Sequence, residues 1–335
     1  MNVTLVSHFS KRYPVGLEFS YARAFEKLEH TVRTVSLAEH FVASPLLQRV
    51  SSLVAPTLGQ AAACREVLAS GAEVVVLIKA AGLWGSTVRT FRGAGMRVVN
   101  VFPDNPFDIM GLNVVGRTLL DQFRALDMVF VHDRYAVGQL AQLGIRSSFL
   151  AFARDPLLHD PADATEPLPD QPDVVFIGNP DSERIRYLRA ITDLGLGLWA
   201  QWDWARLGRE DPLYRCVRGK ELFGRDMVRA MRYAKISINL LRRSQKTAHN
   251  MRSFESPASR ACTLSEASPG VLELFEDGRE VLTFSTPEDL RRKVLSLLES
   301  SAMREQLAGA GWDRVREDDY SVRAAELLAR LDDTI

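Results

Sequence analysis

The chain has little cysteine and no surplus of either charge. Its three cysteines, Cys64, Cys216 and Cys262, lie far apart and match no zinc spacing. An odd number argues against a disulfide framework, so a reducing cytoplasm suits them. Lysine plus arginine and aspartate plus glutamate each number 42, giving a formal net charge of +0, and the pI is near 7.0. This balance excludes the global positive field typical of nucleic-acid binders, so no specific nucleic-acid partner is expected and only a local basic groove stays open. The six histidines are scattered and supply no metal spacing. No run of roughly 18 apolar residues occurs, so no membrane-spanning helix is expected, while peripheral contact with the inner face of a membrane stays open. The opening MNVTLVSHF meets Lys11 and Arg12 too soon for a signal-peptide core, and a cytoplasmic location is expected.

What is present is apolar patterning. With 335 residues, 46% of them apolar, and a mean hydropathy of -0.08, the chain is globular and long enough for two domains with separate cores. In the N-terminal half, NVTLVSH (2–8), HTVRTVSL, EVVVLIK (73–79), MRVVNVF (96–102) and MVFVHD (128–133) read as strands. Between them lie helical patterns such as Glu18 to Leu28, where Phe19, Ala22, Phe25 and Leu28 recur every third or fourth residue. Regular alternation of strand and helix makes a doubly wound α/β sheet the economical fold. RDPLLHDPADATEPLPDQPD (154–173) carries five prolines and few periodic apolar positions, and reads as an extended surface linker. VVFIGN (174–179) and ISINLL (236–241) restart the alternation, with Met227, Ala230, Met231 and Ala234 on one side of the helix between them. The expected division is an N-terminal Rossmann-like domain over 1–160, a linker over 161–173 and a second Rossmann-like domain over 174–312. A C-terminal helix over 313–335 is expected to pack back toward the first domain.

The stretch HNMRSFESPASR (249–260) places two arginines, a histidine and a glutamate around a short helix start. Phe254 and Ala258 are spaced to face the core, with Glu255 at the helix's first turn, and Pro257 is tolerable there because first-turn amides need no intrahelical partner. Glu255 beside them either holds a ligand or faces water. Farther on, Thr286 and Asp289 form a possible capping pair with Pro287 as the first helical residue.

RSFESPASRACTLSE, LELFEDGREVLTFSTPEDL and VFIGNPDSER together resemble the C-terminal half of the glycosyltransferase family typified by CgeB-type spore maturation proteins. The resemblance covers roughly residues 174 to 312, with PDNPF and FVHD in comparable settings of the N-terminal half. That family resembles the larger GT-B retaining group, in which two Rossmann-like domains face each other across a cleft and a sugar nucleotide lies against the C-terminal one. The resemblance implies that Glu255 takes the nucleotide ribose hydroxyls, a task a carboxylate suits because it accepts from both. It further implies a diphosphate site built from Gly178, Arg184 and Arg252, since a guanidinium grips phosphate oxygens through two bonds and a helix start adds amide donors. Departures are visible: Thr247 stands where relatives often carry a second glutamate, Asn179 where they carry arginine, and Arg260 near a position usually held by glycine. The ordinary readings are a solvated Arg184 early in a helix and an Arg260 favoured by a helix dipole.

The resemblance implies transfer of a glycosyl group from a nucleotide-diphosphate sugar to an acceptor hydroxyl, without a cofactor or bound divalent metal. Acceptors consistent with it are a saccharide, glycolipid, glycopeptide or small molecule. Asp104 and His132 follow strands at the carboxyl edge where doubly wound sheets place ligands. They are the catalytic candidates: Asp104, or Asp133 beside His132, to orient the hydroxyl, and His132 to accept its proton. Their ordinary readings are a turn before proline and a helix cap. Tyr13 and Gly16 lie in the first βα loop. Two other classes share the frame: an inactive nucleotide-sugar or carbohydrate-binding protein, and a nucleotide-sugar epimerase.

Overall fold

The computed structural model describes residues 1–9, 14–37, 39, 54–110, 114–200, 204 and 207–333; Tyr13 lies outside them. The chain divides into two compact units, Met1–Ala151 with Tyr320–Ile335, and Phe152–Asp319.

The first unit is built on β1 (Asn2–Ser7), β2 (Thr31–Ser36), β3 (Val74–Ile78), β4 (Arg97–Phe102), β5 (Met128–Val131) and β6 (Ser147–Phe149). They form one sheet in the order β2-β1-β3-β4-β5-β6, with every pair parallel. All five residues of β3 are buried, because a central strand of a parallel sheet is covered on both faces and must be apolar throughout. The covering helices are α1 (Leu17–Lys27), α2 (Val54–Ala69), α3 (Gly85–Gly93), α4 (Val114–Ala125) and α5 (Arg134–Gln142). Val75, Leu77, Phe91, Phe102, Leu119 and Phe123 meet in the core between sheet and helices. The chain leaves β1 for β2 on one side and returns to β3 on the other. This sets the topological switch point between β1 and β3.

The second unit repeats the plan with β7 (Val174–Ile177), β8 (Leu196–Trp199), β9 (Val217–Gly219), β10 (Ile236–Asn239), β11 (Thr263–Glu266) and β12 (Leu282–Phe284). The order is β12-β11-β10-β7-β8-β9, again all parallel, and the switch point falls between β7 and β10. Its helices are α6 (Ser182–Arg189), α7 (Gly224–Tyr233), α8 (Arg252–Ala258), α9 (Pro269–Leu274), α10 (Pro287–Glu299) and α11 (Ser301–Val315). The apolar stripe Met227, Ala230, Met231 and Ala234 is buried. Thr286 caps α10 as its spacing predicts, accepting from the Asp289 amide at 3.1 Å with Pro287 at the first position.

Three details differ from the sequence expectation. The proline-rich stretch lies in the second unit: its prolines have no N–H to give a ladder, and donors on α7 satisfy its carbonyls instead. Arg229 donates to Glu166 O at 2.9 Å and Pro167 O at 2.8 Å, and Tyr233 donates to Ala164 O at 3.0 Å. The segment 313–335 is not one helix: α11 ends, a turn intervenes, and α12 (Tyr320–Asp332) follows in the first unit. The Arg154 amide holds that turn through Asp318 O at 3.0 Å, while α12 packs on α1 with the Tyr21 and Tyr320 rings 5.2 Å apart. Finally, α8 begins at Arg252, so Pro257 lies beyond the first turn. The helix stops one residue later, and Arg260 takes a left-handed φ of 56° there. This is the conformation for which a helix end favours glycine.

Candidate functional site

At the carboxyl edge of the second unit's sheet, β7 ends in Gly178. A Cβ there would stand 2.9 Å from the Phe176 ring, so this position needs glycine for close approach rather than for an unusual φ. Asp181 then caps α6, its carboxylate accepting from the Arg184 amide at 2.9 Å. This turn sends the Arg184 side chain inward, where it is only 7% exposed. Its terminal nitrogens donate to Asn179 O at 3.0 Å and Leu240 O at 2.8 Å, tying together the ends of β7 and β10 across the switch point. The guanidinium also lies 5.6 Å above the Phe176 ring. Burial lowers its pKa to about 10, which leaves it charged at neutral pH.

Glu255 does not face water; it is 6% exposed. Its Oε2 lies 2.7 Å from Arg252 Nη1 and its Oε1 lies 3.6 Å from His159 Nε2. Arg252 in turn directs its other terminal nitrogen toward Ile177 O at 3.4 Å, at the end of β7. A carboxylate this buried is tolerated only when paired. The helix that carries it is fastened to the sheet by small hydroxyl residues rather than by apolar bulk alone. Ser256 donates to Ser237 at 2.7 Å, Asn239 donates to Ser253 and to Ser265 at 3.1 Å each, and Asn250 donates to Asn239 Oδ1 at 2.9 Å. Phe254 and Ala258 are fully buried beside them. His249 is buried too, accepting the Phe152 amide at 3.1 Å through Nε2.

Two groups on this edge escaped sequence reasoning. Glu266, at the end of β11, is 5% exposed; it pairs with Lys246 and accepts the Leu241 amide at 3.0 Å. His159 was hidden inside the proline-rich stretch. The only available signal for Glu266 was a carboxylate closing an apolar strand, ACTLSE, at the edge where parallel sheets bind ligands. Thr247 is exposed, and its carbonyl accepts the Gly270 amide at 3.0 Å. Arg260 is exposed and places its guanidinium 5.2 Å over the Trp312 ring.

In the first unit, β3 runs into two consecutive non-glycine residues at positive φ, Lys79 at 60° and Ala80 at 39°. Such backbone persists only where its surroundings overdetermine it, and here buried amides do so. Asn100 donates to Lys79 O at 3.1 Å, while Gln122 donates to Ala80 O at 2.8 Å and Leu83 O at 2.6 Å. The turn delivers Lys79 Nζ to within 2.6 Å of Asp104 Oδ2. Asp104 is thus an ion-paired, partly exposed carboxylate, and its neighbour Asn105 makes the local turn by accepting the Phe107 amide at 3.0 Å. His8, after β1, has its pKa lowered by burial and then by Lys79. His132 is 5% exposed, its Nδ1 contacts Leu150 O, and burial pushes its pKa down to about 3. A ring so placed is a weak proton acceptor at neutral pH, while the cap of α5 falls to Asp133, which accepts the Tyr135 amide at 2.9 Å. Gly16 precedes α1 as its cap residue.

Among the described residues no group of three or more His, Cys, Asp or Glu side chains is placed to hold a metal ion. Among them also, no helix is long and apolar enough to cross a membrane.

Comparison with known proteins gives a family described as glycosyl transferase-like, matching residues 162–329. No curated protein matches the chain. Among solved structures, sucrose-phosphate synthase from Thermosynechococcus elongatus is similar with a TM-score of 0.69 at 12% identity, over 98% of each chain. HepE of Anabaena in complex with UDP-glucose gives 0.65 at 12% identity, over 100% of each chain. T4 phage BGT in complex with its UDP-glucose substrate gives 0.60 at 13% identity, over 100% of this chain and 99% of that one. These likenesses are likenesses of fold: two Rossmann-like α/β domains with parallel sheets, the GT-B architecture.

Proposed function

The chain belongs to this glycosyl transferase-like family, and we propose that it moves a sugar from a nucleoside-diphosphate donor to an acceptor hydroxyl. The narrower likeness to the CgeB type, carried by RSFESPASRACTLSE, and a retaining outcome are part of the same reading. One observation carries it. A buried carboxylate, Glu255, stands between a cation and a histidine at the ligand edge of the sheet, inside the segment that the family matches. There it would accept hydrogen bonds from the ribose hydroxyls.

Gly178, whose missing side chain makes room for the Phe176 ring, would meet the diphosphate through its backbone at the end of β7. Arg252 and Arg184 would supply positive charge as the bond to the leaving diphosphate breaks, because fixed charges in a dry site stabilise a developing anion without reorganising. Arg184 acts through its field rather than as a bidentate fork, since carbonyls already hold both of its terminal nitrogens. On the first unit we assign acceptor orientation to Asp104, which is partly exposed and fixed by Lys79, over His132, whose ring is buried. Neither donor chemistry nor Asp104 calls on a cofactor.

Calorimetric titration with UDP, GDP and ADP and their 2′-deoxy counterparts tests the reading. Glu255→Gln should weaken the nucleotide that binds by about tenfold and erase most of the preference for ribose, since it weakens the contact that deoxygenation removes. Independent effects of the mutation and of deoxygenation would reject the role of Glu255. Nucleotide binding without acceptor-dependent release of product would favour a binding protein, the reading that Thr247 in place of a second carboxylate supports. Interconversion of sugar nucleotides without an acceptor would favour an epimerase.

A further inference from the structure

His159 reaches Glu255 from a different part of the second unit, and its own environment fixes its chemistry. The imidazole is 3% exposed. Its Nδ1 accepts the Asp155 amide at 2.9 Å, and the same aspartate steadies its own turn by accepting the Leu157 amide at 2.9 Å. A neutral imidazole carries one proton, so a nitrogen that accepts a backbone N–H cannot also carry it. The proton therefore sits on Nε2, the nitrogen facing Glu255 Oε1 at 3.6 Å.

Charges around the ring come from three directions: Glu255 and Arg252 on α8, Asp155 on its own segment, and Arg154 beside it. Burial outweighs them and lowers the pKa, so the ring is neutral at neutral pH. Glu255 is consequently addressed on both oxygens, Oε2 by a full cation on its own helix and Oε1 by the dipole of an N–H whose tautomer the backbone dictates.

We propose that His159 is a positioning residue for Glu255: as the Nε2–H tautomer it sets the rotation of the carboxylate that meets the ribose. The proposal rests on the ribose-binding reading of Glu255. At 3.6 Å the separation exceeds a direct hydrogen bond, so the interaction orients the group while leaving Oε1 free to take a ligand hydroxyl. A second arginine in place of His159 would compete for that oxygen. A neutral donor at this distance would not.

Long-range proton–nitrogen NMR of the imidazoles tests the geometry without any nucleotide, since six histidines give a spectrum that single replacements can assign. At pH 7 His159 should show an unprotonated Nδ1 and a protonated Nε2, and Glu255→Gln should move its Nε2 resonance. The Nδ1–H tautomer, or an Nε2 indifferent to Glu255→Gln, overturns the proposal. Calorimetry with UDP, GDP and ADP supplies the second arm. His159→Phe should lose about tenfold in affinity and most of the ribose preference, while His159→Gln, which can present an N–H near the position of Nε2, should stay within about threefold of wild type. A merely structural ring would show no recovery with glutamine and no change in ribose preference. If Glu255→Gln itself leaves ribose preference untouched, the ribose reading fails while the NMR arm still decides whether His159 and Glu255 are coupled.

Discussion

His132 makes the stability of the first unit depend on pH, with a magnitude that follows from burial. Its folded pKa is about 3 against an ordinary 6.5, because burial opposes the charged ring. As pH falls below 6.5 the unfolded chain takes up this proton first, so the contribution is whole above that value and is lost progressively down to about 3. Each pH unit inside the window is worth about 1.4 kcal/mol per proton. Between pH 8 and pH 5 the active part of the window is 6.5 − 5.0 units, giving a loss of about 2 kcal/mol, or about 30-fold in the opening equilibrium. His132→Asn keeps an amide donor for Leu150 O but cannot titrate, and its smaller volume costs the same at both pH values. Hydrogen exchange of peptides spanning β5 and β6, compared between wild type and His132→Asn at matched pH, cancels the contributions of other groups. Wild-type protection relative to the variant should fall about 30-fold from pH 8 to pH 5. An unchanged ratio would refute the assignment of a buried, neutral His132.

Other consequences are open to measurement. Arg252→Met strands Glu255 in a buried site and should cost about 3 kcal/mol in urea unfolding, whereas adding Glu255→Gln should recover part of that loss; additivity of the two would show that the pair is not coupled. Arg260→Ala should lose the contact with Trp312 while retaining the left-handed strain, whereas Arg260→Gly loses the contact and relieves the strain. The glycine variant should therefore be the more stable by about 1 kcal/mol in thermal unfolding, and equal stabilities would contradict the strain.

The sequence by itself determined the elements. EVVVLIK and VVFIGN carry continuous apolar runs, NVTLVSH and MRVVNVF carry the apolar runs VTLV and VVNVF, interrupted only by Thr4 and Asn100, and their lengths suit strands of a doubly wound sheet; β1, β3, β4 and β7 fall within them. Thr286, Pro287 and Asp289 specify a helix start through local geometry alone. The chain order of strands and helices likewise put Gly178, Arg184, Arg252 and Glu255 at or near one sheet edge, since every β/α turn at that edge follows a strand. Periodicity and capping are short-range properties, and a linear string contains all of their terms.

Only the tertiary structure decided what those side chains do there. Arg184 looks like a surface residue of a helix start, yet Leu240 O, just past the end of β10, draws it inside. Arg252 and Glu255 are one helical turn apart and pair locally, but the burial that gives the pair consequence comes from packing against the sheet. His159 sits in a stretch whose prolines read as linker, and it becomes a neighbour of Glu255 only once Asp155 fixes its ring and α8 docks. Lys79 and Ala80 carry nothing in their identities that foretells positive φ; Asn100 and Gln122, from β4 and α4, impose it. Desolvation, carbonyl capture and tautomer choice are properties of the three-dimensional neighbourhood, because each depends on which distant groups exclude water from a given atom.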